Sequence, residues 1–303
     1  MNAKNILVKD VMIPNLFTAT EDMLTKELEK YFNELDIQGC PVAGVDGQII
    51  GWISDRDMIF SELSWTRRHI GQETPSMFHG WPYFEGPHIE DYNPVFVGQV
   101  MHRKVIKILS SDNLLTALKK MTKEHVHNLM VFDQDKLIGL LVIEEVLEYI
   151  LKNHFLDIAC ILDCPTGQLM TTSIAVIRED DTVEDLEELL CHKKIHGVPV
   201  IDYRGHIKGV VSQVDIVRFE ASTPHRENYP ESAETRVCEI MTPVVTQVTS
   251  SDKVRYVVEL MLQKNIHRVV IAEQGVLKGI LTGMDIIQGI VNLFNPSKVL
   301  ESV

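Results

Sequence analysis

The feature that most constrains this chain is a fourfold internal repeat. A Val-Met, Leu-Met or Ile-Met pair recurs four times, and a glycine within an apolar run follows the methionine by 38 or 39 residues each time. A chain with such a repeat folds as copies of one supersecondary unit. The marker methionines are Met12, Met101, Met170 and Met241, and the marker glycines are Gly51, Gly139, Gly209 and Gly279.

Between and after these markers, every repeat predicts the same order of elements. Apolar residues at every third or fourth position indicate an amphipathic helix. Two short β-rich runs joined by turn residues indicate a hairpin, and a second helix is expected after the marker glycine. The apolar stripes of the first helices are Leu24, Leu28, Tyr31 and Leu35, then Leu114, Leu118 and Met121, then Val183, Leu186 and Leu190, and last Val254, Val257, Val258 and Met261.

The predicted fold class is α/β (α+β), made of four β-α-β-β-α repeats. A unit of about 60 residues is marginal by itself. We therefore expect the repeats to pair into two modules, each burying two sheets in one core, with the division near residue 155. The expected segments are 1–62 for the first repeat, 63–94 for an insertion, 95–155 for the second repeat, 156–222 for the third and 223–303 for the fourth.

The insertion at 63–94 makes the first glycine-to-methionine connection about 18 residues longer than the other two. Its many aromatic residues argue against a flexible linker, and its prolines argue against a regular helix. Two interpretations remain open. The segment packs against its own module or a dimer partner, or it is a dedicated recognition loop.

Composition narrows the class of protein without naming a function. The formal net charge of −14 argues against a broad electrostatic surface for nucleic acid or anionic lipid. Five scattered cysteines do not predict a disulfide framework. No apolar run approaches the length needed to span a membrane, and no signal peptide is evident, so we expect a cytoplasmic protein.

A short motif follows the marker glycine in three repeats: two apolar residues, Ser or Thr, two variable residues, then Asp. A strand that passes into a helix there presents free N–H groups and the positive end of the helix dipole. The hydroxyl can donate to a phosphate, and the Asp can accept from a ribose diol. The same spacing is that of a helix capping box, and both roles can coexist. The pairs are Ser54 and Asp57, Ser212 and Asp215, and Thr282 and Asp285.

The second repeat departs from this motif. Val142 replaces the hydroxyl, and Glu144 and Glu145 place two carboxylates where the other repeats have one. Valine can neither cap a helix nor contact a phosphate, and paired negative charge repels an anion. We therefore expect no nucleotide at this position.

These motifs resemble those of CBS (cystathionine-β-synthase) domain proteins over nearly the whole chain outside the insertion. The resemblance implies an adenosine-containing regulatory ligand, such as AMP, ADP, ATP, S-adenosylmethionine or a cyclic dinucleotide, in clefts between paired repeats. It implies that the Ser/Thr and Asp residues hold ribose and phosphate. It also implies phosphate contacts from His267, Arg268 and His196, although these histidines, like His127, are also suited to capping strands or lying at repeat interfaces. The adenine slot would be lined by Ile174, Val176, Val244 and Val245.

Enzymatic motifs are missing from the sequence. It has no G-x-x-x-x-G-K-S/T phosphate loop, no H-E-x-x-H and no G-x-S-x-G. Cys160 and Cys164 have poor spacing for zinc, so we expect no metal site. The leading hypothesis is a non-catalytic nucleotide sensor that forms a homodimer and acts on a regulated protein not identified by the sequence. A constitutive interaction scaffold, in which the motifs are only helix caps, is the alternative, and a concealed nucleotide hydrolase is a third.

Overall fold

The computed structural model describes residues 5–54, 57, 95–153, 155–193, 195–222, 234–243 and 245–294. The expected insertion at 63–94 and Val244 lie outside these residues. Within them, each repeat forms a small sheet flanked by helices, as the sequence predicts.

The first two repeats supply seven strands and four helices to the described structure. The first contains β1 (Ile13–Pro14), β2 (Ala19–Thr20), α1 (Thr25–Leu35), β3 (Gly39–Ala43) and β4 (Ile49–Ser54). The second contains α2 (Val97–Val100), β5 (Lys107–Leu109), α3 (Leu114–Glu124), β6 (Asn128–Asp133), β7 (Lys136–Val142) and α4 (Ile143–Asn153).

The third and fourth repeats follow the same order. The third contains α5 (Ala159–Asp163), β8 (Ile177–Arg178), α6 (Val183–Lys193), β9 (Gly197–Ile201), β10 (Ile207–Ser212) and α7 (Gln213–Ser222). The fourth contains α8 (Val237–Ile240), β11 (Gln247–Val248), α9 (Val254–Lys264), β12 (Arg268–Glu273), β13 (Val276–Thr282) and α10 (Gly283–Leu293).

Each repeat builds its sheet in the same way. A short first strand runs parallel to the middle strand, and the middle strand pairs antiparallel with the last. The register shifts beside the marker glycine in every hairpin; in the first repeat Val42 pairs with Gly51, and the shift follows at Ala43. The expected turns are present, because Gly47 and Gly205 both have positive φ.

The first helix of each repeat buries the expected apolar stripe, with one correction. The stripes of α3, α6 and α9 are buried. In α1, however, Leu35 is 50% exposed, and Phe32, which the stripe omitted, is buried beside Leu28. The face of α1 that packs is therefore rotated from the expected one. Among the described residues, no helix combines the length and apolar character required to cross a membrane.

The marker residues contact each other across paired repeats. A Cβ on Gly51 would lie 2.9 Å from the sulfur of Met101 and 2.5 Å from the carbonyl oxygen of His102. A Cβ on Gly209 would meet Met241 and Thr242 in the same way, at 2.8 and 2.6 Å. Only glycine permits this approach. The same contact joins Gly139 to Met12 and Gly279 to Met170.

The first and second repeats thus exchange their amino-terminal segments, and so do the third and fourth. In the first pair, β1 extends the sheet of the second repeat, with Ile13 opposite Leu140. The other three exchanged segments each form a single antiparallel bridge with the residue that follows the marker glycine of the paired repeat. His102, for example, forms this bridge with Trp52. This exchange is the physical basis of the predicted pairing into two modules.

The cores are arranged differently from the expected single core in each half. The chain divides into two compact units. Unit 1 comprises residues 1–16, 106–174 and 245–303, and unit 2 comprises 17–105 and 175–244. In unit 1, the helices of the second and fourth repeats share one apolar core. In unit 2, the third and first repeats have separate apolar clusters. The expectation that both sheets of a pair share one core is therefore wrong.

Candidate functional site

The Ser/Thr and Asp motif follows the last strand of the sheet in all three repeats that carry it, and a helix begins there in the third and fourth repeats. In the third repeat, the backbone N–H and the hydroxyl of Ser212 donate to Oδ2 of Asp215 at 2.8 and 2.7 Å. In the fourth, Thr282 donates to Oδ2 of Asp285 at 2.8 and 2.6 Å. Helix-capping bonds are therefore formed, as the structural interpretation of the motif requires.

The first repeat forms the same bonds between Ser54 and Asp57. The backbone N–H and the hydroxyl of Ser54 both lie 2.7 Å from Oδ2 of Asp57. In all three repeats the cap uses one carboxylate oxygen and leaves Oδ1 for another partner. Since a carboxylate offers two oxygens with about four acceptor positions, capping does not prevent ligand binding.

The second carboxylate oxygen distinguishes the three repeats. Oδ1 of Asp57 lies 2.8 Å from Nε2 of His102. Oδ1 of Asp285 accepts a longer bond, 3.2 Å, from the hydroxyl of Thr171. Within the described part of the chain, no side chain bonds to Oδ1 of Asp215. Among the described residues, the third repeat therefore has a carboxylate oxygen to which no other side chain is bonded.

The residue after each marker methionine is a site position that sequence reasoning missed. His102, Thr171 and Thr242 occupy it beside the motif of the paired repeat, and Ile13 occupies it beside the second repeat. The signal was present in the sequence, because aligning the four repeats on their methionines brings these residues into one column. The segment exchange that carries them to the neighbouring repeat is not visible in that alignment.

The pair of His102 and Asp57 is an ion pair when the imidazole is protonated. The hydrogen bond that His102 donates to Asp57 raises the pKa of His102, and the carboxylate charge adds to this effect, whereas burial opposes it. Asp57 is 12% exposed and His102 is 31% exposed, so solvent screens the pair only in part. In the first repeat, the carboxylate that would accept from a ribose is therefore already engaged.

The second repeat lacks the hydroxyl of the motif, and Glu145 stands in place of the aspartate. Val142 ends β7, and Ile13 of the exchanged segment replaces the polar residues found at this place in the other repeats. The neighbouring Glu144 instead binds His267 of the fourth repeat, with Oε1 at 2.8 Å from Nδ1. Burial alone would raise the pKa of Glu144, but the hydrogen bond from His267 and the nearby histidine charges hold it below its ordinary value.

The candidate phosphate residues lie at the start of the middle strands. Arg268 is the direct antiparallel partner of Thr282 and is exposed, so its side chain leaves the same face of the sheet as the threonine. His196 lies 3.4 Å from the amide oxygen of Gln213 in its own repeat. Arg268 is thus placed beside a capping motif, whereas the ring of His196 already faces a buried amide.

The proposed adenine-slot residues precede the first strands of their repeats. Ile174 and Val176 are half-buried and lie in the irregular segment before β8, and Val245 is half-buried before β11. None of these three side chains is fully buried. Partial exposure leaves apolar surface that an aromatic base can cover. The fourth candidate, Val244, lies outside the described residues.

Chemistry suited to catalysis is scarce in the described part of the chain. The described residues contain no cluster of three or more His, Cys, Asp or Glu side chains that could hold a metal ion. Burial raises the pKa of the Cys40 thiol to about 12, which makes it a poor nucleophile at neutral pH.

Comparison with known proteins finds the same architecture elsewhere. A family model described as the CBS domain matches residues 8–63, 97–152, 167–222 and 237–292, more than half of the chain. Protein MJ1225 of Methanocaldococcus jannaschii is 21% identical over 225 residues, 72% of this chain and 71% of the relative. The CBS domain-containing protein CBSX2 of Arabidopsis thaliana is 27% identical over 146 residues, 40% of this chain and 61% of the relative.

Two solved structures extend this likeness to nearly the whole chain. The structure of MJ1225, described as a candidate archaeal homolog of g-AMPK, has a TM-score of 0.69 at 16% identity and covers 94% of this chain and 99% of its own. A conserved protein of Pyrococcus horikoshii has a TM-score of 0.62 at 18% identity, with coverage of 94% and 100%. At these identities the likeness establishes the fold.

Proposed function

The chain belongs to the CBS domain family, and we propose that it is a non-catalytic regulatory protein that binds an adenine nucleotide. The sequence relative CBSX2 has been crystallised in complex with AMP. The structural relative MJ1225 is described as a candidate homolog of g-AMPK. Both descriptions support a nucleotide, namely AMP, ADP or ATP, as the regulatory ligand of this chain.

The observation that carries this proposal is the geometry of Asp215. Its Oδ2 caps α7, and its Oδ1 has no bonded side chain within the described residues. A ribose diol presents two neighbouring hydroxyl donors, and a carboxylate oxygen can accept from them. Hydrogen bonds to an ionised acceptor are stronger than those to neutral groups. We assign Asp215 as the principal ribose residue, with Asp285 second and Asp57 third.

The remaining candidate residues fit the other parts of a nucleotide. Arg268, beside Thr282, is suited to a phosphate because its guanidinium is always charged and can bind two oxygens. We assign His267 and His196 as secondary phosphate residues. Ile174, Val176, Val244 and Val245 are proposed to cover the adenine. Binding changes the balance between conformations only if the ligand has different affinities for them, and the regulated protein would respond to that change.

Titration calorimetry with adenosine, AMP, ADP and ATP tests this function. We expect at least one of these compounds to bind, and the double variant Asp215→Ala/Asp285→Ala to bind about tenfold to hundredfold more weakly, because bonds to a charged acceptor are lost. Asp185 provides a matched control, since Thr182 donates to its Oδ2 at 2.8 and 2.6 Å in an ordinary capping box outside the site.

Asp185→Ala should leave nucleotide affinity unchanged while lowering stability by about 1 kcal/mol, the usual cost of a lost cap. If no adenosine compound produces heat with the wild-type protein, the proposed function is wrong. If the double variant binds as well as the wild type, the residue assignment is wrong.

A constitutive interaction scaffold is the second candidate, and the capping bonds of the motifs favour it, since Thr282 and Asp285 form a complete capping box. On this hypothesis the three motifs only stabilise helix starts. A ligand at one hundred times its Kd should raise the free energy of unfolding by about 2.7 kcal/mol. A scaffold would show no stabilisation by any nucleotide, so thermal melts with and without AMP and ATP separate the two candidates.

A homodimer and a cytoplasmic location complete the proposal. We propose a homodimer because exposed helix faces in such modules usually pair. In unit 1, however, α3 and α4 pack against α10 and α9 of the same chain, and these faces cover each other. A dimer would therefore use other surfaces. Light scattering of the purified protein measures its mass, and cell fractionation tests the location.

A further inference from the structure

The pair of Glu144 and His267 joins two repeats of unit 1. Glu144 lies in the first turn of α4 in the second repeat, and His267 precedes β12 in the fourth. Their side chains are 37% and 40% exposed, and the atoms Oε1 and Nδ1 are 2.8 Å apart. The pair therefore lies at the edge of the shared core, where both side chains are partly exposed to solvent.

Tight packing beneath this pair holds the two side chains together. The helices α4 and α10 begin side by side, and a Cβ on Gly283 would lie 2.7 Å from Cγ2 of Ile143. Glycine at the start of α10 permits this approach, and isoleucine at the equivalent place in α4 fills the space. Because Ile143 immediately precedes Glu144, this contact places the carboxylate beside the fourth repeat.

The carboxylate occupies Nδ1, one of the two ring nitrogens through which His267 could donate to a ligand phosphate. The position of Glu144 corresponds to Val214 in the third repeat and Met284 in the fourth, so no carboxylate stands there in either of them. The bond from His267 keeps Glu144 ionised, because its pKa is below the ordinary value despite burial. An anion that binds Nδ1 of His267 must therefore displace the Glu144 carboxylate, and one that binds elsewhere on the ring remains close to its negative charge.

We infer that Glu144 is a specificity-determining residue for the anionic part of the ligand bound at the fourth repeat. It competes with phosphate for His267 and so reduces the advantage of polyphosphates over uncharged adenosine. The second repeat, which has no ribose motif, would thus contribute to ligand choice at its neighbour. This inference rests on the proposed function, because it assigns a role within that same site.

The test compares ATP with adenosine by calorimetry at 0.15 M salt. Relative to wild type, Glu144→Gln should bind ATP about threefold to tenfold more tightly, the range expected for a partly exposed ion pair. Adenosine affinity should change less than about twofold, since adenosine has no phosphate. Glu144→Met, which copies the residue at the equivalent place in the fourth repeat, should act in the same direction and provides a second variant if the first folds poorly.

Two control variants separate competition at His267 from general charge. Glu145→Gln removes an adjacent carboxylate that does not bind His267, and it should change ATP affinity less than about twofold. In the His267→Gln background, Glu144→Gln should no longer increase ATP affinity. Equal gains from both glutamate variants, or a gain that persists without His267, would overturn the inference.

Inorganic pyrophosphate distinguishes failure of this inference from failure of the proposed function. If no adenosine compound binds but Glu144→Gln binds pyrophosphate more tightly than wild type does, the proposed function fails and the role of Glu144 stands. If adenosine compounds bind and the ratio of ATP to adenosine affinity is unchanged in Glu144→Gln, the inference fails alone. If neither wild type nor Glu144→Gln binds any of these compounds, both fail.

Discussion

The third and first repeats carry the same Ser-x-x-Asp motif and form the same cap, yet they differ at one oxygen atom. Oδ1 of Asp215 has no bonded side chain within the described residues, whereas Oδ1 of Asp57 is bound by His102 at 2.8 Å. The difference arises from the exchanged segment, which brings His102 to Asp57. The motif alone therefore does not define a binding site, because a side chain from the neighbouring repeat can already occupy the second carboxylate oxygen.

The largest expected effect comes from removing the two aspartates one at a time. Asp215→Ala should weaken nucleotide binding by about tenfold or more, because a charged acceptor is lost from the ribose. Asp57→Ala should change it less than about twofold, since His102 already engages that carboxylate. Calorimetry on the two single variants measures both effects. Equal losses would abolish the distinction between the repeats.

A smaller effect is expected when His102 is replaced by threonine, the residue found at this position in the other two motif-bearing pairs. His102→Thr should release Oδ1 of Asp57 and increase nucleotide affinity at the first repeat by about threefold to tenfold. The number of sites measured by calorimetry should rise as well. Adding Asp57→Ala to this variant should remove the gain. If the gain remains, His102 does not act through Asp57.

The smallest effect concerns the pH dependence of stability. Because the pKa of His102 is raised in the folded protein, the folded state binds this proton more tightly than the unfolded chain. The pair therefore stabilises the fold fully below the ordinary histidine pKa of about 6.5. Its contribution is lost as the pH rises through the higher folded-state value.

Replacing His102 by Gln should lower the melting temperature by about 1 to 3 °C at pH 6, and by less at pH 8.5. Scanning calorimetry at the two pH values measures the difference. A decrease that is the same at both would show that His102 stabilises the fold by packing rather than by charge. Thermal melts of Asp185→Ala at the same two pH values serve as a control. They measure how the loss of a helix cap that involves no histidine depends on pH.

The repeat and its elements could be predicted because they depend on local sequence. Marker spacing located four copies, and the period of apolar residues identified the buried stripes of α3, α6 and α9. The stripe of α1 was partly wrong, because Leu35 fits the same period as Phe32 and only the neighbouring sheet decides which is buried. Periodicity defines a helix face but does not identify its packing partner.

The arrangement of the cores and the site contacts between repeats could not be predicted, because both depend on packing between segments that are distant in the sequence. The shared core of the second and fourth repeats joins segments more than one hundred residues apart. The contacts of His102 with Asp57, of Thr171 with Asp285 and of Glu144 with His267 all cross repeat boundaries. The motif itself lies within one repeat, so its capping bonds followed from the sequence alone.

We propose that the second carboxylate oxygen of Asp215, Oδ1, holds the ribose of an adenine nucleotide. A crystal structure of the protein with its tightest-binding nucleotide tests this most directly. We expect a ribose hydroxyl at about 2.5 to 3.0 Å from Oδ1 of Asp215, with Ser212 still donating to Oδ2 of the same carboxylate. A nucleotide bound elsewhere, or one whose ribose makes no contact with Asp215, would contradict it.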